Sequence, residues 1–229
     1  MEENAMTQST TFVIKNKNID TSKKTILVFL KAIGSSNDWA STAWETTNVQ
    51  ESGQQGLKAI THNVAANGVY GPGQLSSTAT VEIPAGQTAS FQLQKSGELK
   101  LLAPTSGGGS TSQQSSTYNP TTEENLYTEW SVNGNAVCRD MGAMDNKGHS
   151  SFQLYNKIYI TVAESYETDS FKLQDWDSLI EIPYDSALVT AIVTVEKNSK
   201  NELQCSIDEA RPSEAIGKGP FTAQNDAKL

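Results

Sequence analysis

Val81-Glu-Ile-Pro-Ala-Gly-Gln-Thr-Ala-Ser-Phe-Gln-Leu93 holds two runs in which apolar and polar residues alternate, separated by a Pro/Gly turn. A period of two belongs to a β-strand, whose successive side chains point to opposite faces of a sheet. Read as a hairpin, the segment places Ala79, Val81 and Ile83 on one face with Ala89, Phe91 and Leu93, and leaves Glu82, Ser90 and Gln92 on the wet face. Pro84 and Gly86 supply the reversal, one by fixing φ and the other by permitting positive φ.

The same grammar recurs outward from this stretch. Strands are expected at 11–15, 25–32, 57–64, 78–83, 99–103, 130–138, 152–162, 189–195 and 202–207, with turn residues between them. Ile26 to Leu30 are apolar without alternation, which predicts a central strand covered on both faces. Asn133-Gly134 predicts a type I′ hairpin turn. Helix signals are few: 37–44 reads as a short helix or a loop, and Thr121 to Glu124 has capping-box spacing. Many short strands with so little helix predict an all-β fold, an antiparallel two-sheet β-sandwich of jelly-roll-like character. Its expected core is Ile14, Ile26, Val28, Leu30, Val81, Ile83, Phe91, Leu93, Ile158, Ile160, Val162, Ala191, Val193 and Ile207.

Composition sets the boundaries. Residues 1–10 read as an N-terminal arm and 11–207 as the sandwich, with a Gly/Ser/Thr/Gln-rich excursion at 104–120. The alternative division is two small domains, 11–104 and 121–207. Residues 208–229 read as a polar C-terminal arm whose aromatic anchor is Phe221.

Lys and Arg number 17 against 26 Asp and Glu, a net charge of -9. That balance repels a phosphate backbone and sets nucleic acid aside as a partner. No apolar run approaches the length of a membrane span. The first ten residues carry no basic and apolar leader, which points to cytoplasmic synthesis, with release or assembly outside still open. Two cysteines are too few for a disulfide scaffold, and Cys205 shares a strand face with Leu203 and Ile207, as a buried free thiol would.

Chemistry-bearing motifs are sparse. There is no Gly-x-Ser-x-Gly elbow and no phosphate-cradling Gly-rich loop before a helix, and the histidines are His62 and His149. No catalytic residue is assigned. Calcium is the one cofactor the acidic loops suggest. Asp140, Asp145 and His149 share one loop, while Asp169, Asp175, Asp177, Glu181 and Asp185 surround Trp176, with Asp175 and Asp177 as the candidate ligands. Trp39, Trp44 and Trp176 lie among Ser, Thr, Asn and Asp, the setting in which a pyranose stacks on a ring while carboxylates and amides take its hydroxyls. Core tryptophans, Trp130 among them, give the same pattern.

The leading functional expectation is a non-catalytic structural protein that assembles with copies of itself into a filament, shell or lattice. Strand edges and terminal arms would make the contacts, with Phe12 and Phe221 as anchors. The alternative is a lectin-type carbohydrate-binding or receptor-binding module, with glycans as the partner.

Overall fold

The computed structural model describes residues 9–33, 39–60, 64–74, 76–105, 114–164, 171–172, 174–184, 190–210 and 221–225, with backbone only at 208–210 and 221–225. Apart from two single 3-10 turns at Pro72–Gln74 and Trp176–Ser178, every regular element among them is a strand. The protein is all-β.

The strands form three sheets. In the first, β1 (Thr10–Asn16) pairs with β5 (Gln54–Ile60) on one side and β16 (Thr190–Lys197) on the other. Beyond β16 lie β17 (Leu203–Ala210) and then β18 (Phe221–Asn225). The second sheet runs in the order β10 (Leu99–Leu102), β9 (Thr88–Leu93), β11 (Ser115–Tyr118), β14 (His149–Ala163), β2 (Thr25–Ile33) and β4 (Glu45–Thr47). β15 (Ile180–Pro183) also pairs with β14. The third runs β3 (Trp39–Ser41), β13 (Asn135–Asp140), β12 (Tyr127–Val132), β6 (Val64–Tyr70) and β7 (Ser76–Ser77), with β8 (Val81–Ile83) on β6.

The sheets are mixed rather than purely antiparallel as the sequence suggested. β1 pairs in parallel with β16, and β9 with β11. Parallel pairing requires a long crossover, and both pairs join strands far apart in the chain. Hydrogen-bonded pairs also link strands on the two sides of 104–120: β6 with β12, β2 with β14, and β1 with β16.

The 81–93 segment is not a hairpin. β8 pairs with β6 in the third sheet, while β9 pairs with β10 and β11 in the second. The turn between them, closed by Gln87 N–H donating to the Pro84 carbonyl at 3.1 Å with Gly86 at φ 77°, carries the chain from one sheet to another. Ile83, Ala89 and Phe91 nevertheless share one buried cluster. A Cβ on Gly68 of β6 would strike the Phe91 ring, so the two sheets meet closely there.

That cluster draws on all three sheets, including Phe12, Ile14, Val193 and Ile207 from the first, Ile158, Ile160, Phe91 and Phe152 from the second, and Trp130, Val132 and Ala66 from the third. Each large side chain so buried contributes about 1.5–3 kcal/mol against exposure. Of the expected core, Val81 and Val162 are half-buried and Leu93, the last residue of β9, is 47% exposed. β2 lies between β14 and β4, with Ile26 to Leu30 all buried, because a second cluster of Leu27, Phe29, Tyr159 and Leu179 covers its other face beneath Trp176.

β14 changes partners along its length. It pairs with β11 at 149–152 and with β15 at 157–160, and between Leu154 and Ile158 it spends four steps where β2 spends two. The extra residues form a bulge, which bends the strand where its partners change.

Local expectations divide. Asn133 (φ 54°) and Gly134 (φ 82°) form the tight turn of the β12–β13 hairpin. The capping-box stretch is not helical: the buried Asn119 side chain accepts from Thr121 N–H at 3.0 Å and from the Thr121 hydroxyl at 2.7 Å, holding a turn. In the stretch 37–44, read as a short helix or a loop, residues 39–41 form strand β3, and 37–38 lie outside the described residues. Among the described residues no helix is long and apolar enough to cross a membrane.

Candidate functional site

The four tryptophans do not converge. Trp44 is 1% exposed, its backbone N–H donating to the Val28 carbonyl at 2.9 Å and its indole N–H to the Val132 carbonyl at 3.0 Å. It offers no ring face to a sugar, which corrects its assignment as a ligand-binding residue. Trp130 is buried flat against Phe152, centroids 5.1 Å apart, and its indole N–H donates to the Ser150 hydroxyl at 3.1 Å. Trp39 is half-buried and edge-on to Phe152 at 6.4 Å, with an indole N–H that is buried and has no partner. Trp176 sits on the other face of the second sheet, edge-on to Tyr159 at 4.9 Å and Phe29 at 6.4 Å, with the Lys31 ammonium 5.1 Å from its ring centre. It covers the smaller cluster.

Asp175 and Asp177 flank Trp176 as two exposed carboxylates. The nearby Glu181 carboxylate is taken up by Lys157 at 2.6 Å and by the Tyr159 hydroxyl at 3.0 Å. The lysine hydrogen bond holds that carboxyl below its usual range, while burial, then the Glu181 hydrogen bond, pushes the Tyr159 phenol up. Asp169 and Asp185 lie outside the described residues, as does His62. Among the described residues no three His, Cys, Asp or Glu side chains gather, and Asp175 and Asp177 acquire no third ligand.

The Asp140, Asp145, His149 loop also disperses. Asp145 is exposed in a turn, while His149 is exposed on β14 and stacked on Tyr118 at 4.6 Å. Ser150, the next residue, is buried on the opposite face, so the neighbours His149 and Ser150 make no nucleophile–base pair. Ser150 instead bonds Asp140, which also accepts the Thr128 backbone N–H, and burial pushes the Asp140 carboxyl up to about 6. The sequence held a signal for this: Asp140 stands two residues after the buried Cys138, on the inward face of β13. Both cysteines are free and buried. Burial drives each thiol up, Cys205 to about 12, with Asp140 adding to the effect on Cys138 and Glu196 to that on Cys205.

An open polar cleft of about 240 Å³ lies between residues 42–46 and the Gly134–Ala136 turn. Its amide, Asn135, is already committed, donating to the Trp44 carbonyl and the Glu45 carboxylate and accepting from Lys58.

The first sheet ends in β17 and β18. β17 buries Leu203, Cys205 and Ile207 and pairs with β16 from Thr190↔Ala210 to Lys197↔Leu203. Its other side takes β18 in antiparallel register, Cys205↔Asn225 to Glu209↔Phe221. Residues 208–210 and 221–225 of the expected C-terminal arm are therefore strand, because the rim of the sheet satisfies their backbone groups. β18 has one neighbour among the described strands. The side chain of Phe221, like residues 1–8 and 106–113, lies outside the described residues. Phe12 is 0% exposed and edge-on to Tyr184 at 5.0 Å, so its ring anchors β1 to this chain's own core and is not free to reach a neighbour.

Comparison of the chain with protein-family models, with curated proteins and with solved structures finds no match.

Proposed function

We propose that this is a non-catalytic structural protein, built on a sandwich-like β core, that assembles with copies of itself by exchanging its last strand. The observation that supports this reading is β18, a five-residue strand near the chain's end that adds to the rim of a sheet and pairs, among the described strands, with β17 alone. The bonds it makes in its own chain are available, in the same register, on any other copy. Exchange of an identical element costs little, because each backbone bond given up within one chain is remade between two, and strand addition needs no dedicated pocket. The outer edge of β18 and the opposite edge, β5, then offer further backbone groups for lateral growth. With a net charge of -9, copies repel at low ionic strength, so assembly is expected to strengthen as salt screens that repulsion.

The test compares the full chain with one ending at residue 210, by light scattering and sedimentation over a range of concentration and salt. The full chain is expected to form oligomers that a peptide spanning 221–225 disperses, and the shortened chain to remain folded and monomeric. A full chain that stays monomeric under every condition would overturn the proposal.

A further inference from the structure

The outer face of the second sheet carries a row of four residues in cross-strand register: Leu102 on β10, Ser90 on β9, Tyr118 on β11 and His149 on β14. Their chain neighbours Leu101, Ala89, Phe91, Thr117 and Ser150 are buried, so the alternation of each strand turns this row outward. Tyr118 is half-buried, with one ring face stacked on His149. On the side of Tyr118 away from His149 the row continues with Ser90, a small residue, and then Leu102, which is 42% exposed. Tyr118 and Leu102 stand two strand spacings apart, about 9.6 Å. That width admits one ring-shaped ligand between an aromatic wall and an aliphatic wall over a hydroxyl floor.

The charge around this slot runs against that of the molecule. The chain carries -9, yet the row and its register neighbours Lys100, Gln92, Thr88 and Ser116 include a lysine and a histidine and no carboxylate; Glu98, exposed on the same face, stands one step beyond Lys100, farther from the row. Lys100 is exposed and joins none of the ion pairs among the described residues. The Gln92 amide accepts from Gln94 at 2.9 Å and keeps its own N–H groups for a ligand.

We infer that this slot binds a carboxylate-bearing pyranose of a glycan. The apolar CH face of the sugar lies on Tyr118, its hydroxyls meet Ser90 and Gln92, and its carboxylate meets Lys100. A neutral sugar gains the stacking without the charge, and a simple carboxylate gains the charge without the stacking. The site is separate from the β17–β18 rim and stands or falls independently of assembly.

The probes are methyl β-D-glucuronide, methyl β-D-glucoside and acetate, titrated into the full chain and followed by amide chemical shifts. The glucuronide is expected to bind most tightly, with shifts confined to β9, β10 and β11. Tyr118→Ala is expected to weaken it about tenfold, and Lys100→Gln about fivefold while leaving the glucoside unchanged. Lys100 is exposed, so its variant reports even if Tyr118→Ala folds poorly. Equal binding of glucuronide and glucoside, shifts elsewhere, acetate binding as tight as the glucuronide, or no saccharide binding at all would each overturn the assignment.

Discussion

Two turns in this chain are built from similar local chemistry. Asn133 and Gly134, at φ 54° and 82°, join β12 to β13, and the flanking strands pair with each other. Pro84 to Gln87, with Gly86 at φ 77°, joins β8 to β9, and the flanking strands belong to different sheets. The turn residues fix only that the chain reverses. What decides between a hairpin and an arch is where each strand finds its backbone partners. β8 finds them on β6 from Val64↔Ile83 to Ala66↔Val81. The arch is then tied to β11 and the residue before it, the Ser115 hydroxyl donating to the Ile83 carbonyl at 2.7 Å and Gly86 N–H to the Gln114 carbonyl at 3.0 Å. Both arrangements send their apolar side chains into the same core, so the alternating pattern is identical in the two cases.

If the arch is held by its landing sites, the sharpest way to break it is Phe91→Ala. The ring is 1% exposed and seated over Gly68, which has no side chain to swing into the gap. Truncation should cost about 3–5 kcal/mol in urea unfolding, with a cavity left between the second and third sheets. A loss under about 1 kcal/mol, the scale of a turn glycine, would mean that the turn itself carries the arch.

The same contrast explains what was legible in the sequence. Element type was legible: the alternation at Phe91, Ile158 and Val193 and the two-sided burial of Ile26 to Leu30 are set by local pattern and hold in the structure. Pairing was not, because β1 with β16 and β9 with β11 depend on contacts far along the chain. The aromatic residues show the same limit. Trp44 and Trp130 lie in polar sequence but are core, since the covering side chains come from other strands. Tyr118 and His149 meet through β11–β14 pairing, and no spacing rule links positions so far apart. The strand character of 208–210 leaves no apolar pattern to read, because Asp208 and Glu209 are polar and their place in the sheet is set by backbone pairing with β16.

Asp140 sharpens the comparison at the far end of the hairpin, where β13 holds a half-buried carboxyl beside Ser150. Its folded value, about 6, lies above the ordinary 3.8, so the native state binds the proton more tightly than the unfolded chain. Asp140's contribution to stability is accordingly highest below about pH 4, falls as pH rises through the interval from about 4 to about 6, and stays lowered above it. Burial opposes the ionised group by more than the Ser150 and Thr128 hydrogen bonds return, a net cost on the order of 3 kcal/mol at pH 7. Asp140→Asn keeps an oxygen for both donors and is expected to raise stability at pH 7 and flatten the pH profile between 4 and 6. An unchanged profile would show that Asp140 ionises freely and that the hairpin end is wetter than its packing indicates.

The smallest effect isolates the turn from everything it leads to. Neither Gly134 nor Gly56 has any atom within 4 Å of where a Cβ would stand, so an alanine at either position meets no neighbour. They differ in backbone: Gly134 holds φ at +82° at the tip of the hairpin, whereas Gly56 lies in strand β5 with φ outside the positive region, opposite Val13. Gly134→Ala is therefore expected to cost about 1 kcal/mol through conformation alone. Gly56→Ala is expected to be neutral or to stabilise by about 0.5 kcal/mol, because the unfolded chain loses freedom that the strand never used. Urea midpoints of the two variants, read against Phe91→Ala, place turn geometry and core packing on one scale. Equal losses at the two glycines would show that positive φ is not what the hairpin requires of position 134.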